Sequence, residues 1–240
     1  MFICKNEADN HEFELKAQLQ KSEEQLGLIL LPLYKNEVVA KHQSSVFFES
    51  IASLYNMLLE DAEAIFKADP AAKTLEQVLI AYPGFFATAV HRFAHQLHKQ
   101  DIPLIPRIFS EYAHSKTGID IHPSATIGNA FAIDHGTGIV IGETTIIGNC
   151  VKIYQGVTLG ALSVVKEEAS EKRHPTIQDN VIIYSGATIL GGTTIIGHDS
   201  IIGGNVWLTQ SVDPFSIAFH KAEIIVQDKK SFLEPYNFSI

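Results

Sequence analysis

The stretch IHPSATIGNAFAIDHGTGIVIGETTIIGNCVKIYQGVTLG, residues 121–160, places its aliphatic residues at intervals of six, a spacing that suits neither an α-helix nor an ordinary strand. Ile121, Ile127 and Ile133 fall six apart, and after a slip of two residues Ile141, Ile147, Ile153 and Leu159 resume the count. Ile177, Ile183 and Ile189 keep the same step, one extra residue intervenes, and Ile196, Ile202 and Leu208 carry the series toward Val212. Four residues after most of these aliphatic positions stands a small or β-branched residue, as at Ala125, Thr137, Val151, Val157 and Thr193.

This period predicts a triangular solenoid of short parallel strands, one six-residue unit to each side. The aliphatic residue points into the prism and stacks on its counterpart three units later, and the small residue fits beside the corner. Recurrent pairs such as Ile127-Gly128, Ile141-Gly142 and Ile202-Gly203 put a glycine just past the inward residue, where it lets the backbone bend. Between Ala161 and Lys172 the phasing fails, so the segment is expected to leave the prism as a loop that ends at Arg173-His174-Pro175.

Upstream of the repeat the spacing becomes helical. Phe85, Phe86, Val90, Phe93 and Leu97 mark one face of a helix over Gly84 to Lys99. Asp69-Pro70, Pro83-Gly84 and Pro103 with Pro106 punctuate this region. The expected organisation is a helical domain over 1–117, a β-helix over 118–214 with an extruded loop near 161–175, and a tail over 215–240. His91, His95 and His98 lie on one helical side. They read as solvated or partly buried imidazoles, since no acidic or cysteine partner completes a metal set nearby.

Composition argues against several classes of function. With 27 acids against 18 bases the formal charge is −9, which repels a polyanion, and no Lys/Arg run offsets it; nucleic acid is not an expected partner. The first residues, Met1 to Glu14, lack a secretory apolar run, and the most apolar run, Leu26 to Tyr34, is short and broken by Pro32. No membrane span is expected. Two cysteines, Cys4 and Cys150, make no disulfide framework, so a reducing compartment, the cytoplasm, is the expected location.

The chemical signal lies at Asp134-His135-Gly136-Thr137-Gly138, where the two-residue slip brings an acid and an imidazole to an irregular turn flanked by glycines. Asp120, fourteen residues earlier, is expected on the neighbouring coil. Two readings stand side by side. Asp120 orients His135 as a general base, as in hydroxyl activation, or Asp120 caps a turn while His135 faces solvent.

The motifs Asp120-Ile121-His122-Pro123, Asp134-His135-Gly136-Thr137-Gly138-Ile139-Val140-Ile141-Gly142-Glu143-Thr144, Val157-Thr158-Leu159-Gly160 and Arg173-His174-Pro175 resemble, in order and spacing, the serine O-acetyltransferases, hexapeptide-repeat acyltransferases. The resemblance covers roughly Asp69 to Val212. It implies a helical domain followed by a left-handed parallel β-helix, with acetyl-CoA as co-substrate and no metal. It also implies L-serine as acceptor, cysteine as feedback inhibitor, and a homotrimer or dimer of trimers.

By this resemblance His135 is the catalytic base and Asp120 its orienting carboxylate. Asp134, Arg173, His174 and, by a shorter match, Asp69 take serine. Gly160, Ala187, Gly204 and Lys221 meet the coenzyme. Family members often end in an isoleucine that enters O-acetylserine sulfhydrylase, which would make Ile240 a partner contact. The loop before Arg173 is longer and more acidic than the family's glycine-rich version, and Phe219-His220-Lys221 stands where Gly-Val-Pro-Ala is usual. Three rivals remain: acetylation of another hydroxylated acceptor such as a sugar, a zinc lyase of the carbonic anhydrase type drawing on His122, His135, His174 and His198, and a non-catalytic scaffold.

Overall fold

A computed structural model describes residues 5–163 and 171–221, with side chains from residue 12 onward. Six helices, α1 (Lys5–Tyr34), α2 (Glu37–Glu49), α3 (Ile51–Ala68), α4 (Leu75–Ala81), α5 (Pro83–Lys99) and α6 (Ile105–Thr117), precede a parallel β-helix. Side A of the prism stacks Asp120–Ile121, Val140–Ile141, Thr158–Gly160, Thr188–Leu190 and Trp207–Leu208. Side B stacks Thr126–Ile127, Ile146–Ile147, Thr176–Ile177 and Ile195–Ile196. Side C stacks Ala132–Asp134, Lys152–Tyr154, Ile182–Ile183, Ile201–Ile202 and Ile217–Ala218.

The register records each irregularity of the repeat. Ile121 pairs with Ile141 and Ile141 with Leu159, so the first coil is two residues longer than the 18 of a regular one. Ile147 pairs with Ile177, a step of 30, twelve residues more than a regular coil, with residues 164–170 of the expected loop outside the described part, and Ile177 with Ile196, a step of 19. The inward aliphatic residues from Ile121 to Ile202 form one buried column, joined by Val151, Val157 and Val181.

Several expectations from sequence need correction. At the two slips the corner position moves with the inserted residues: Thr137 and Thr193 are exposed, and Ile139 and Thr194 are buried in their place. The glycines after the inward aliphatic residues serve close stacking, since a Cβ on Gly148 would lie 2.2 Å from Asp179 Oδ1. The left-handed corners fall instead on Ala130, His135, Cys150, Asn180, Asp199 and Asn205. Phe86 faces outward, and the buried face of α5 includes Thr88, His91 and Arg92.

These polar residues are buried because the first coil has an open edge. Neighbouring coils exchange bonds in both directions, Asp120 and Thr126 donating to Ile139 and Thr145 and Cys150 donating back to Asn129, but no coil precedes the first, so its carbonyls that face away from the second coil lack strand partners. Helical side chains fill the gap. Arg92 donates to the Ile127 and Gly128 carbonyls at 2.6 Å each, His95 Nδ1 to the Pro123 carbonyl at 2.8 Å, and Ser110 to the Ile121 carbonyl. His91, fully enclosed, faces the Ala125 backbone and stacks on His95 with ring centroids 5.6 Å apart. Asp61 of α3 completes the joint, accepting from Arg92 at 2.8 and 3.0 Å and from the Phe131 amide at 2.9 Å. Gly84 permits the approach of α5, because a Cβ there would lie 2.6 Å from the Ile133 carbonyl oxygen.

Removing one partner of a buried, hydrogen-bonded pair leaves an uncompensated charge. Arg92→Met should therefore cost about 3–5 kcal/mol of stability in urea denaturation, with the helical region losing its protection first in hydrogen exchange. Burial, with neighbouring Arg92 and Lys99 as weaker contributors, holds His91 and His95 below the ordinary imidazole range. The unfolded chain then binds more protons than the folded one below its own imidazole pKa. Stability is fully present above about pH 6.5 and falls as pH drops below it, by up to about 1.4 kcal/mol per pH unit for each histidine. The melting temperature should decline from pH 7 to 5, and His91→Phe should flatten that decline.

Candidate active site

Ionisable side chains collect at two corners of the prism, at opposite ends of side A. At the corner between sides C and A, residues 135–139 hold the two-residue insertion, and His135 adopts a left-handed φ of +58° that only a tight corner demands of a non-glycine. Its ring is 73% exposed, with Nε2 3.7 Å from Asp134 Oδ1. The other oxygen of Asp134 is 3.0 Å from Lys152 Nζ. Lys152 also donates to the Ala68 carbonyl at 3.0 Å and lies 4.5 Å from the Tyr154 ring centroid, and Tyr154 in turn stacks on Tyr184.

The helical region reaches this corner through the turn after α3. Asp69 caps that helix, with Oδ2 accepting from the Tyr82 hydroxyl at 2.7 Å and Oδ1 from the Ala71 amide at 2.8 Å. The Tyr82 hydroxyl and then the Ala71 amide hold its carboxyl below the usual range, with Lys152 and His135 adding a smaller pull. Burial opposes the charge on Lys152, but the contacts with Tyr154 and Asp134 prevail and raise it. One cation thus sits among two carboxylates and an imidazole, which leaves the corner short of positive charge by one.

Asp120 stands at the start of side A, its amide bonded to the Ile139 carbonyl and its strand paired with Val140. It lies on the same coil as Asp134, one strand position below the corner, where sequence spacing had suggested a neighbouring coil. Among the described residues no hydrogen bond joins Asp120 to His135.

The second corner, between sides A and B, carries Arg173 and His174. Arg173 pairs with Glu143. Thr144 organises the rest: its hydroxyl oxygen accepts from the Arg173 amide at 2.9 Å and the His174 amide at 3.0 Å, and its own amide donates to His174 Nδ1 at 3.1 Å. Lys172 ties the returning strand down through the carbonyls of Thr144 and His174, at 2.9 and 2.6 Å. The His174 ring lies against Gly142, where any Cβ would come within 2.0 Å of it. Burial first, then the charge of Arg173, pushes His174 down to about 4.

The residues expected at the coenzyme divide between the same corners. Gly160 ends its side A strand at the second corner, whereas Ala187 and Gly204 lie at the first, and Lys221 closes the described chain. The Ala187 side chain is buried in the prism, and its amide already bonds the Tyr184 carbonyl, so little of it faces out. His122, His135, His174 and His198 occupy three different corners, and among the described residues no three His, Cys, Asp or Glu side chains converge as a ligand set. Sequence reasoning missed Lys152, Tyr82, Lys172 and the role of Thr144. Each is an ordinary residue for its place, and only the stacking of coils brings it to an ionisable partner.

A β-helix of six-residue sides, joined to a helical bundle and carrying acid, imidazole and guanidinium groups at the ends of one face, defines the chain as a hexapeptide-repeat protein with a corner site. No family model matches the sequence. Among curated proteins, the plasmid-encoded serine acetyltransferase of Synechococcus elongatus is 49% identical over 73% of this chain, which spans 57% of that protein's length. The serine acetyltransferase of Bacillus subtilis is 42% identical over 76% of this chain and 82% of its own length. Among solved structures, serine acetyltransferase 1 of Entamoeba histolytica in complex with L-cysteine superposes with a TM-score of 0.80 at 38% identity, covering 87% of this chain and 78% of that one. Two further matches at 30% identity, each covering 76% of this chain, are serine acetyltransferases in complex with serine, from Neisseria gonorrhoeae, and with CoA; they cover 73% and 75% of those chains, with TM-scores of 0.67 and 0.66. The chain belongs to the serine acetyltransferase family.

Proposed function

We propose that this protein transfers the acetyl group of acetyl-CoA to the hydroxyl of L-serine, the first step of cysteine biosynthesis. The observation that carries the reading is the meeting of Asp69, Asp134 and His135 at one corner, in a chain similar to serine acetyltransferases over most of its length. The corner is short of one positive charge, which suits the ammonium of an amino acid. An arginine and a histidine at the far end of the same face suit its carboxylate. A sugar acceptor would use neither feature.

In the proposed reaction His135 takes the proton of the serine hydroxyl, and Asp120 steadies the imidazole once the exposed ring turns toward it. The hydroxyl oxygen attacks the thioester carbon, the carbon–sulfur bond breaks, and His135 returns the proton to the departing thiolate. Coenzyme A lies along side A against Gly160, Gly204 and the Ala187 backbone, with Lys221 near its phosphates. Cysteine shares the ammonium and carboxylate of serine and competes at Asp69, Asp134, Arg173 and His174.

The two corners are separated by the width of side A, so one chain does not close both around a single serine. A homotrimer, or a pair of trimers, brings the first corner of one copy against the second corner of the next. The division into a helical domain (1–117), a β-helix (118–214) and a tail (215–240), a cytoplasmic location and docking of Ile240 on O-acetylserine sulfhydrylase complete the proposal. Residues 222–240 lie outside the described part, and no described helix is long and apolar enough to cross a membrane.

Thiol release from acetyl-CoA, measured with and without L-serine, tests the activity: release should depend on serine and yield O-acetylserine. His135→Ala should lower kcat by about 10²- to 10⁴-fold with unchanged coenzyme affinity; near-normal turnover would remove the base from His135. The shared site predicts complementation. His135→Ala and Arg173→Ala proteins, each inactive alone, should recover activity when unfolded together and refolded as mixed oligomers, and no recovery would place the whole site within one chain.

A further inference from the structure

The amide of Thr144 can only donate, so the His174 Nδ1 that it meets at 3.1 Å must present a lone pair. The Thr144 hydroxyl lies 2.9 Å from the same nitrogen. Its oxygen already accepts two amide hydrogens, from Arg173 and His174, so its own hydrogen is left to point at Nδ1. Two donors thus converge on one ring nitrogen and leave no place there for a proton. The ring's proton belongs on Nε2, which has no hydrogen-bond partner among the described residues and lies above Gly142.

We propose that Thr144 is a positioning residue that locks His174 as the neutral Nε2–H tautomer, so that this imidazole serves the site as a fixed hydrogen-bond donor to the substrate carboxylate and not as a proton acceptor. The inference rests on the assignment of His174 to the serine site. The charged neighbours act in the same sense. Arg173 and Lys172 oppose a further positive charge, as does His122 of the first coil, and only Glu143 favours one. A donor without a titrating charge keeps its hold on the substrate carboxylate while the base at the other corner takes and returns the proton.

Histidine-labelled full-length protein, observed by two-bond proton–nitrogen NMR at neutral pH, should show His174 as Nε2–H alone; an Nδ1–H ring in the native protein overturns the proposal. Thr144→Val keeps the backbone amide but loses the hydroxyl, and should introduce the second tautomer and raise the pKa of His174. It should also raise KM for serine about tenfold, as for one oriented hydrogen bond to a charged group, with kcat and the KM for acetyl-CoA little changed. Thr144→Ser should restore both spectrum and KM. Wild-type KM and tautomer in Thr144→Val also overturn the proposal. His174→Ala tests the assignment beneath it: an unchanged KM for serine would remove His174 from the site, whereas the NMR result decides the tautomer independently.

Discussion

The first coil of a β-helix has no coil before it, so the row of its carbonyls that faces away from the second coil finds no donor within the repeat. In this protein Arg92, His91, His95 and Ser110, from α5 and α6, reach into that row. Asp61 balances the one cation among them and, through the Phe131 amide, binds the first coil as well. The helical region is thus the terminating cap of the solenoid. Because the cap is polar and directional, it fixes the helices in orientation as well as in contact.

That orientation decides where the turn after α3 falls. With α3 held by Asp61, its last carbonyl, at Ala68, meets Lys152, and the next residue, Asp69, arrives beside Asp134 and His135. Lys152 joins the cap to the site: the same ammonium group anchors the helical turn and pairs with the acid. At the far end of side A the scaffold works differently. There the loop returns onto a mould made by Gly142, Glu143 and Thr144, where the absence of a side chain makes room for the His174 ring and one hydroxyl satisfies two amides.

The sequence was legible where a single period governs both local and tertiary structure. Ile121, Ile147 and Ile189 read as inward because a repeat stacks each residue on its own kind, so the pattern along the chain is also the pattern of contacts. It became ambiguous where the period breaks: at the slips, counting four from the aliphatic residue selects Thr137 and Thr193, but the inserted residues bulge outward and hand the inward place to Ile139 and Thr194. Phe86 misled for a related reason. Hydrophobicity marks the buried face of a helix only when the surface it covers is apolar, and α5 covers a row of carbonyls.

From the sequence alone came the prism, its three sides, the break in phase before Arg173 and the motifs that place an acid, an imidazole and a guanidinium in irregular turns. These follow from local spacing, because a repeat with a fixed rise per residue leaves the chain little choice. Tertiary structure alone decided that Asp69, Tyr82 and Lys152 converge on Asp134, that Thr144 holds His174, and that the two motif corners lie at opposite ends of one face. Those relations join residues tens of positions apart through stacked coils and a polar cap, and hydrogen bonds between such partners leave no periodic trace along the chain.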